Sequence, residues 1–123
     1  MGSAAQLTAR TFDSVVLESH VPVLVDFWAS WCPPCKMVEP VLDRLADRFA
    51  ARAKVAKLQV DQNPGLRSRY AIQGVPTFCV FDRGEIVARV VGAQSDERLA
   101  ELLEDALANR DALGRSADPS SDS

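Results

Sequence analysis

Apolar residues change their spacing several times along this 123-residue chain, and each change marks an element. Residues 21–28, Val-Pro-Val-Leu-Val-Asp-Phe-Trp, place Val23, Val25 and Phe27 on one alternating set and Leu24 and Trp28 on the other. Both sets are mostly apolar, which predicts a central strand covered on both faces. Residues 38–49 then repeat apolar side chains at helical spacing (Val38, Val41, Leu42, Leu45, Phe49), with Glu39, Asp43, Arg44, Asp47 and Arg48 outside. Pro40 removes the bond to the Lys36 carbonyl and predicts a kink there. Residues 54–61 and 77–81 predict further strands. A last strand, 85–91, returns antiparallel after Asp82-Arg83-Gly84, where a hairpin with a bulge needs glycine at positive φ. Ser95 is placed to cap a last helix that buries Leu99, Leu102, Leu103, Ala106 and Leu107. Weaker signals give an edge strand at 6–8, and a first helix capped by Thr11 or Asp13 with Phe12, Val15, Val16 and Leu17 on one side. The turn at 61–65 leads into a short helix at 66–70. Strands alternating with helices in this order indicate an α/β domain.

Between the central strand and the long helix lies Phe-Trp-Ala-Ser-Trp-Cys-Pro-Pro-Cys-Lys, residues 27–36. Cys32 therefore falls at a helix N-terminus, where free N–H groups and the positive end of the macrodipole favour an anion such as a thiolate. That position stabilises an anion by about 0.3 to 1 kcal/mol when exposed and up to ~2 when partly buried. At about 1.4 kcal/mol per pKa unit, the thiol is expected to ionise roughly one unit below its usual value, and the thiolate is the form that attacks disulfides. Cys35 stands one turn on, facing the same way, so the pair can close into a small disulfide ring.

Asp26 is anomalous in so apolar a strand, because a carboxylate buried there must raise its pKa or find a partner. Two compatible readings follow: an ion pair with Lys57 on the neighbouring strand, or a proton acceptor for Cys35. Cys79, in the middle of the 77–81 strand, is expected to be a buried inert thiol. His20, at the exit of the first helix, is expected on the surface.

Composition narrows the class. Hydrophobic residues make up 47% and charged ones 25%, and the net charge of -3 offers no basic field for nucleic acid or anionic lipid. The N-terminus lacks the charged start and apolar core of a signal peptide, and no run approaches the ~20 apolar residues of a membrane span, so a cytoplasmic location is expected. One C-x-x-C among three cysteines points to redox chemistry rather than a disulfide framework. With one histidine and no second cysteine pair, a structural metal site is not expected. Residues 1–5 are assigned to an N-terminal extension, 6–113 to a single domain, and 114–123 to a disordered polar tail.

Several blocks in fixed order resemble the thioredoxin family over residues 7–107. They are Val-Asp-Phe-Trp-Ala-x-Trp-Cys-x-Pro-Cys-Lys-Met at 25–37, Pro40, Val-Ala-Lys-Leu at 55–58, Asp-Gln-Asn-Pro at 61–64, Gly-Val-Pro-Thr at 74–77 and Val-Gly-Ala at 91–93. The resemblance implies a three-layer α/β sandwich, a central mixed five-stranded sheet flanked by four helices. It implies a protein-disulfide reductase in which Cys32 attacks and Cys35 resolves, forming a reversible disulfide, with Asp26 assisting proton transfer beside Lys57. Pro76 is then expected to be cis, and Trp31, Pro34, Val75, Pro76, Gly92 and Ala93 to form the rim that receives substrate. Trp28 and Pro33 are expected to tune the site; most members carry glycine where this chain has Pro33. No bound cofactor is implied, the electrons coming from NADPH through a separate thioredoxin reductase. The other expected partners are disulfide-containing proteins, met as a monomer. Two rivals stand beside this reading: an oxidant, isomerase or cytochrome-maturation reductant of an exported compartment, and a non-catalytic binding subunit on the same scaffold.

Overall fold

The computed structural model describes residues 4–116, with side chains through residue 110. Strands β1 (Ala5–Leu7), β2 (Val23–Trp28), β3 (Lys54–Gln59), β4 (Thr77–Asp82) and β5 (Glu85–Val91) form one sheet in the order β1-β3-β2-β4-β5. β3 runs parallel to β1 and β2, whereas β4 is antiparallel to β2 and β5, so the sheet is mixed as expected. Helices α1 (Pro33–Arg48), α2 (Pro64–Arg69) and α3 (Asp96–Ser116) join a helical segment at Asp13–Leu17 to complete the two outer layers.

The alternation in β2 fixes what lies on each face. Val23, Val25 and Phe27 pack with Phe12, Val16, Leu66 and Phe81. Leu24, on the opposite set, packs with Val38, Leu42 and Leu45 of α1 and with Leu99 and Leu103 of α3. Both faces of the strand are thus dry, as its two apolar sets predict. On the first face Phe12, Tyr70 and Phe81 sit 5.4–5.7 Å apart, with Phe27 at 6.0 Å from Tyr70, in tilted and edge-on arrangements that suit aromatic quadrupoles.

Local differences from the pattern have local causes. The long helix begins at Pro33, which leaves Cys32 at its N-terminus as expected; prolines fit the first helical positions, where an N–H has no partner within the helix. It passes through Pro40 as one element, with that ring in solvent. Neither Thr11 nor Asp13 caps the first helical segment: Thr11 Oγ1 instead accepts from the Thr8 N–H at 3.0 Å, and Phe12 occupies the cap position. That segment is wound wide, the Glu18 N–H donating to the Asp13 carbonyl at 3.0 Å.

The β4–β5 turn has only two residues, Arg83 (φ +54°) and Gly84 (φ +83°), both positive as a tight hairpin of this hand requires. Its bulge lies inside β5, where Val80 faces Ala88 but Phe81 faces Ile86, leaving Val87 as the extra residue. Ser95 caps α3, its Oγ accepting from the Arg98 N–H at 3.1 Å. α3 continues to Ser116, past Leu113 where a disordered tail was expected to begin; the rest of that tail and residues 1–3 lie outside the described residues.

Phe12 holds the otherwise uncapped segment to the core, fully buried and in contact with two other rings. Phe12→Ala is expected to cost about 3–5 kcal/mol, the range for truncating a buried aromatic ring. Urea unfolding checks it, and a loss under ~1 kcal/mol would place the anchor elsewhere.

Candidate active site

β2 ends at Trp28, the Cys32 N–H donates back to the Ala29 carbonyl at 3.2 Å, and α1 begins one residue later. Cys32 is the N-cap of α1, in extended conformation, and its Sγ accepts from the Cys35 N–H at 3.2 Å. Pro33 and Pro34 fill the first two helical positions and have no N–H, so the Cys35 amide is the donor that reaches the sulfur. Cys32 and Cys35 form a disulfide with Cα atoms 5.3 Å apart. Burial does not separate the two, at 2% and 1% exposed. What distinguishes Cys32 is its cap position.

The turn carrying Ser30 is tied to the end of β3. The Ser30 N–H and Oγ donate to the two carboxylate oxygens of Asp61 at 3.3 and 3.0 Å, and Gln59 Nε2 donates to the same group at 3.2 Å. Desolvation pushes the Asp61 carboxyl up, but these hydrogen bonds together hold it below its usual range. No local sequence signal marks this tether, since Ser30 and Asp61 are 31 residues apart.

The opposite wall comes from β4 and β5. Thr77, the first residue of β4, pairs with Phe27 of β2, so Val75-Pro76 arrives at the same sheet end as the disulfide. The Val75-Pro76 peptide is cis. The Gly92 N–H, at φ +94°, donates to the Pro76 carbonyl at 2.7 Å and brings Gly92 and Ala93 alongside. Trp31 is 64% exposed and Pro33, Pro34 and Ala93 are also open to solvent, whereas Val75 is half-buried and Pro76 buried. Met37, 76% exposed in the first turns of α1, adds an apolar side chain that sequence reasoning left out. Trp28 is half-buried against the core cluster that also holds Cys32 and Cys35, and it lines a hollow with Leu7, Gln59 and Asn63.

Asp26 is 1% exposed and lies in register with Lys57 on β3. The expected ion pair between them is not formed. Lys57 Nζ instead meets Glu39 Oε2 at 3.6 Å, and Asp26 Oδ1 has no hydrogen-bond partner. Glu39 is four residues after Cys35, on the same side of α1, and that spacing is the signal that could have found it. Burial pushes the Asp26 carboxyl up to about 7, against the pull of Lys57 and with a push from Glu39. Cys79 is fully buried in β4, and burial raises its thiol to about 11 against a small opposing effect of Arg89. Both features make it the inert thiol expected. His20 is exposed.

A thioredoxin profile matches residues 3–105 of the chain. Thioredoxin 1 of Nostoc sp. is 48% identical over 104 residues, covering 85% of this chain and 97% of that protein. The chain belongs to the thioredoxin family. A thioredoxin of Acidithiobacillus ferridurans is 47% identical over 97 residues, covering 79% and 90% of the two chains. The solved structure of a mutant thioredoxin from Halobacterium salinarum NRC-1 superposes with a TM-score of 0.79 at 40% identity, covering 86% of this chain and 92% of that one. Thioredoxins are protein-disulfide oxidoreductases without a resident cofactor, re-reduced from NADPH by a separate reductase. In this member the exchange runs through Cys32 and Cys35.

The raised Asp26 carboxyl has a consequence for stability. In the unfolded chain the group titrates near 3.8, and in the folded protein near 7. Between those values the folded protein keeps a proton that the unfolded chain has released, so stability falls as pH rises through this window and levels off above it. Asp26→Asn is expected to be more stable than the native protein at pH ~8, by on the order of 4 kcal/mol at ~1.4 kcal/mol per unit, with no gap left near pH ~4. Urea denaturation of the oxidised proteins at both pH values checks this; equal stability at the higher pH would show that Asp26 is solvated.

Proposed function

We propose that Cys32 is the attacking nucleophile and Cys35 the resolving thiol of a general protein-disulfide reductase. The observation that supports this order is the single amide donated to Cys32 Sγ at the cap of α1. The Cys32 thiolate attacks one sulfur of a substrate disulfide, forming a mixed disulfide and expelling the other sulfur as a thiolate that takes up a proton. Cys35 then loses its proton to Asp26, directly or through a water, and its thiolate attacks Cys32, releasing the second substrate thiol. The protein dithiol ends oxidised and the substrate reduced, two electrons having moved. Lys57 stands beside Asp26 in the sheet and stabilises its charged form.

Substrate lies across Trp31, Pro34, Val75, Pro76, Gly92 and Ala93, with its extended backbone beside Val75, whose own amide and carbonyl make no backbone hydrogen bond among the described residues. The working form is a monomer in the cytoplasm, recharged there by thioredoxin reductase; no helix among the described residues is long and apolar enough to cross a membrane. Trp28 and Pro33 tune the centre from either side of the cap.

Insulin disulfide reduction driven by dithiothreitol tests the central claim. Cys32→Ser is expected to lose the catalysed rate entirely, and Cys35→Ser to accumulate a mixed disulfide through Cys32 that mass spectrometry detects. Equal rates for native protein and Cys32→Ser would refute the catalytic reading.

Pro33 withholds an N–H from the first turn, so the positive helix end that favours the thiolate has one free amide fewer than a glycine would leave it. A less stabilised thiolate makes the dithiol a stronger reductant. Pro33→Gly is accordingly expected to show a reduction potential equal to or higher than that of the native protein in a glutathione redox titration. A clearly more reducing variant would reverse the argument.

A further inference from the structure

The buried carboxyl of Asp26 has a cation in register beside it, yet that cation is engaged elsewhere. Lys57 is only 22% exposed, and its ammonium reaches Glu39 Oε2 at 3.6 Å, leaving Asp26 Oδ1 without a hydrogen-bond partner. Glu39 is 45% exposed and projects from the turn of α1 that follows Cys35. The charged groups acting on Asp26 are thus Lys57 from β3 and Glu39 from α1. β4 places Phe78 beside it, and α3 supplies Leu99 and Leu103 to the same core.

We propose that Glu39 is a positioning residue for disulfide exchange: it holds the Lys57 ammonium away from Asp26 and so sets how readily Asp26 accepts a proton. The inference rests on Asp26 being the acceptor for Cys35, but the charge competition is separable from that role. Two carboxylates share one ammonium, and only one of them is in water. Glu39 stands half in water and takes the cation, whereas an ion pair at Asp26 would require a buried carboxylate. The unpaired, buried Asp26 then keeps a strong affinity for a proton, as a base working near neutrality requires. Burial remains the larger cause, with Glu39 acting on top of it.

Glu39→Gln keeps the shape of the side chain and removes its charge, freeing Lys57 to turn to Asp26. In that variant the Asp26 midpoint, followed by carbon-13 NMR of its carboxyl in the full chain, is expected to fall by roughly one unit. The acid limb of the pH-rate profile for insulin reduction should move down with it. Glu39→Asp, which keeps the charge on a shorter arm, is expected to lie between the two. Asp47→Asn, an equal change of net charge farther along α1, is expected to leave the midpoint in place. An unmoved midpoint in Glu39→Gln, or the same displacement in Asp47→Asn, would overturn the inference. A displaced midpoint with an unmoved rate profile would uphold the charge competition and refute instead the assignment of Asp26 as the base.

Discussion

Strand β2 is hydrogen-bonded on both edges and packed on both faces, and this double enclosure is the constraint on which the remaining features depend. A strand so held has no freedom to shift register, because a slip of one residue would exchange its two apolar sets and carry Asp26 to the other core. Its end point is therefore fixed, and so is the place where the chain leaves the sheet to start α1. Cys32 stands there, one residue before the first helical position. The reactive sulfur is positioned by the most deeply buried part of the molecule even though the chemistry takes place at its rim.

The same enclosure accounts for the one polar residue within β2. Asp26 cannot reach water, and its cationic neighbour is occupied by Glu39. Its proton affinity is consequently a property of the fold, set by burial first and by charges on β3 and α1 second. Such a group costs stability whenever it must ionise. Apolar residues would serve β2 better as structure, and this cost is what supports the proposed chemical role of the acid.

Features that depend on neighbours in the chain were legible in the sequence. The two apolar sets of β2, the repeat of Val38, Leu42 and Leu45, the Ser95 cap and the placement of both cysteines at the start of α1 all follow from local spacing. Errors arose where a choice depended on contacts distant in the chain. Lys57 had two carboxylates within reach, and which one it chose turned on the packing of α1 against β3. Thr11 had a helix to cap and a loop to close, and it closed the loop. The link from Ser30 to Asp61 joins two turns whose sequences say nothing of each other. The cis form of Val75-Pro76 came from family resemblance, since X-Pro bonds adopt it only about 5–6% of the time.

The extra residue at Val87 also bears on how the molecule avoids sticking to itself. β5 is an outer strand, and a long flat edge invites other chains to add to it. Here the pairing rhythm breaks midway at Val87, and the exposed Glu85 and Arg89 add charge to the strand. If clients are received through main-chain pairing at Val75, as proposed, the same handshake must be refused elsewhere, and this border is built to decline it.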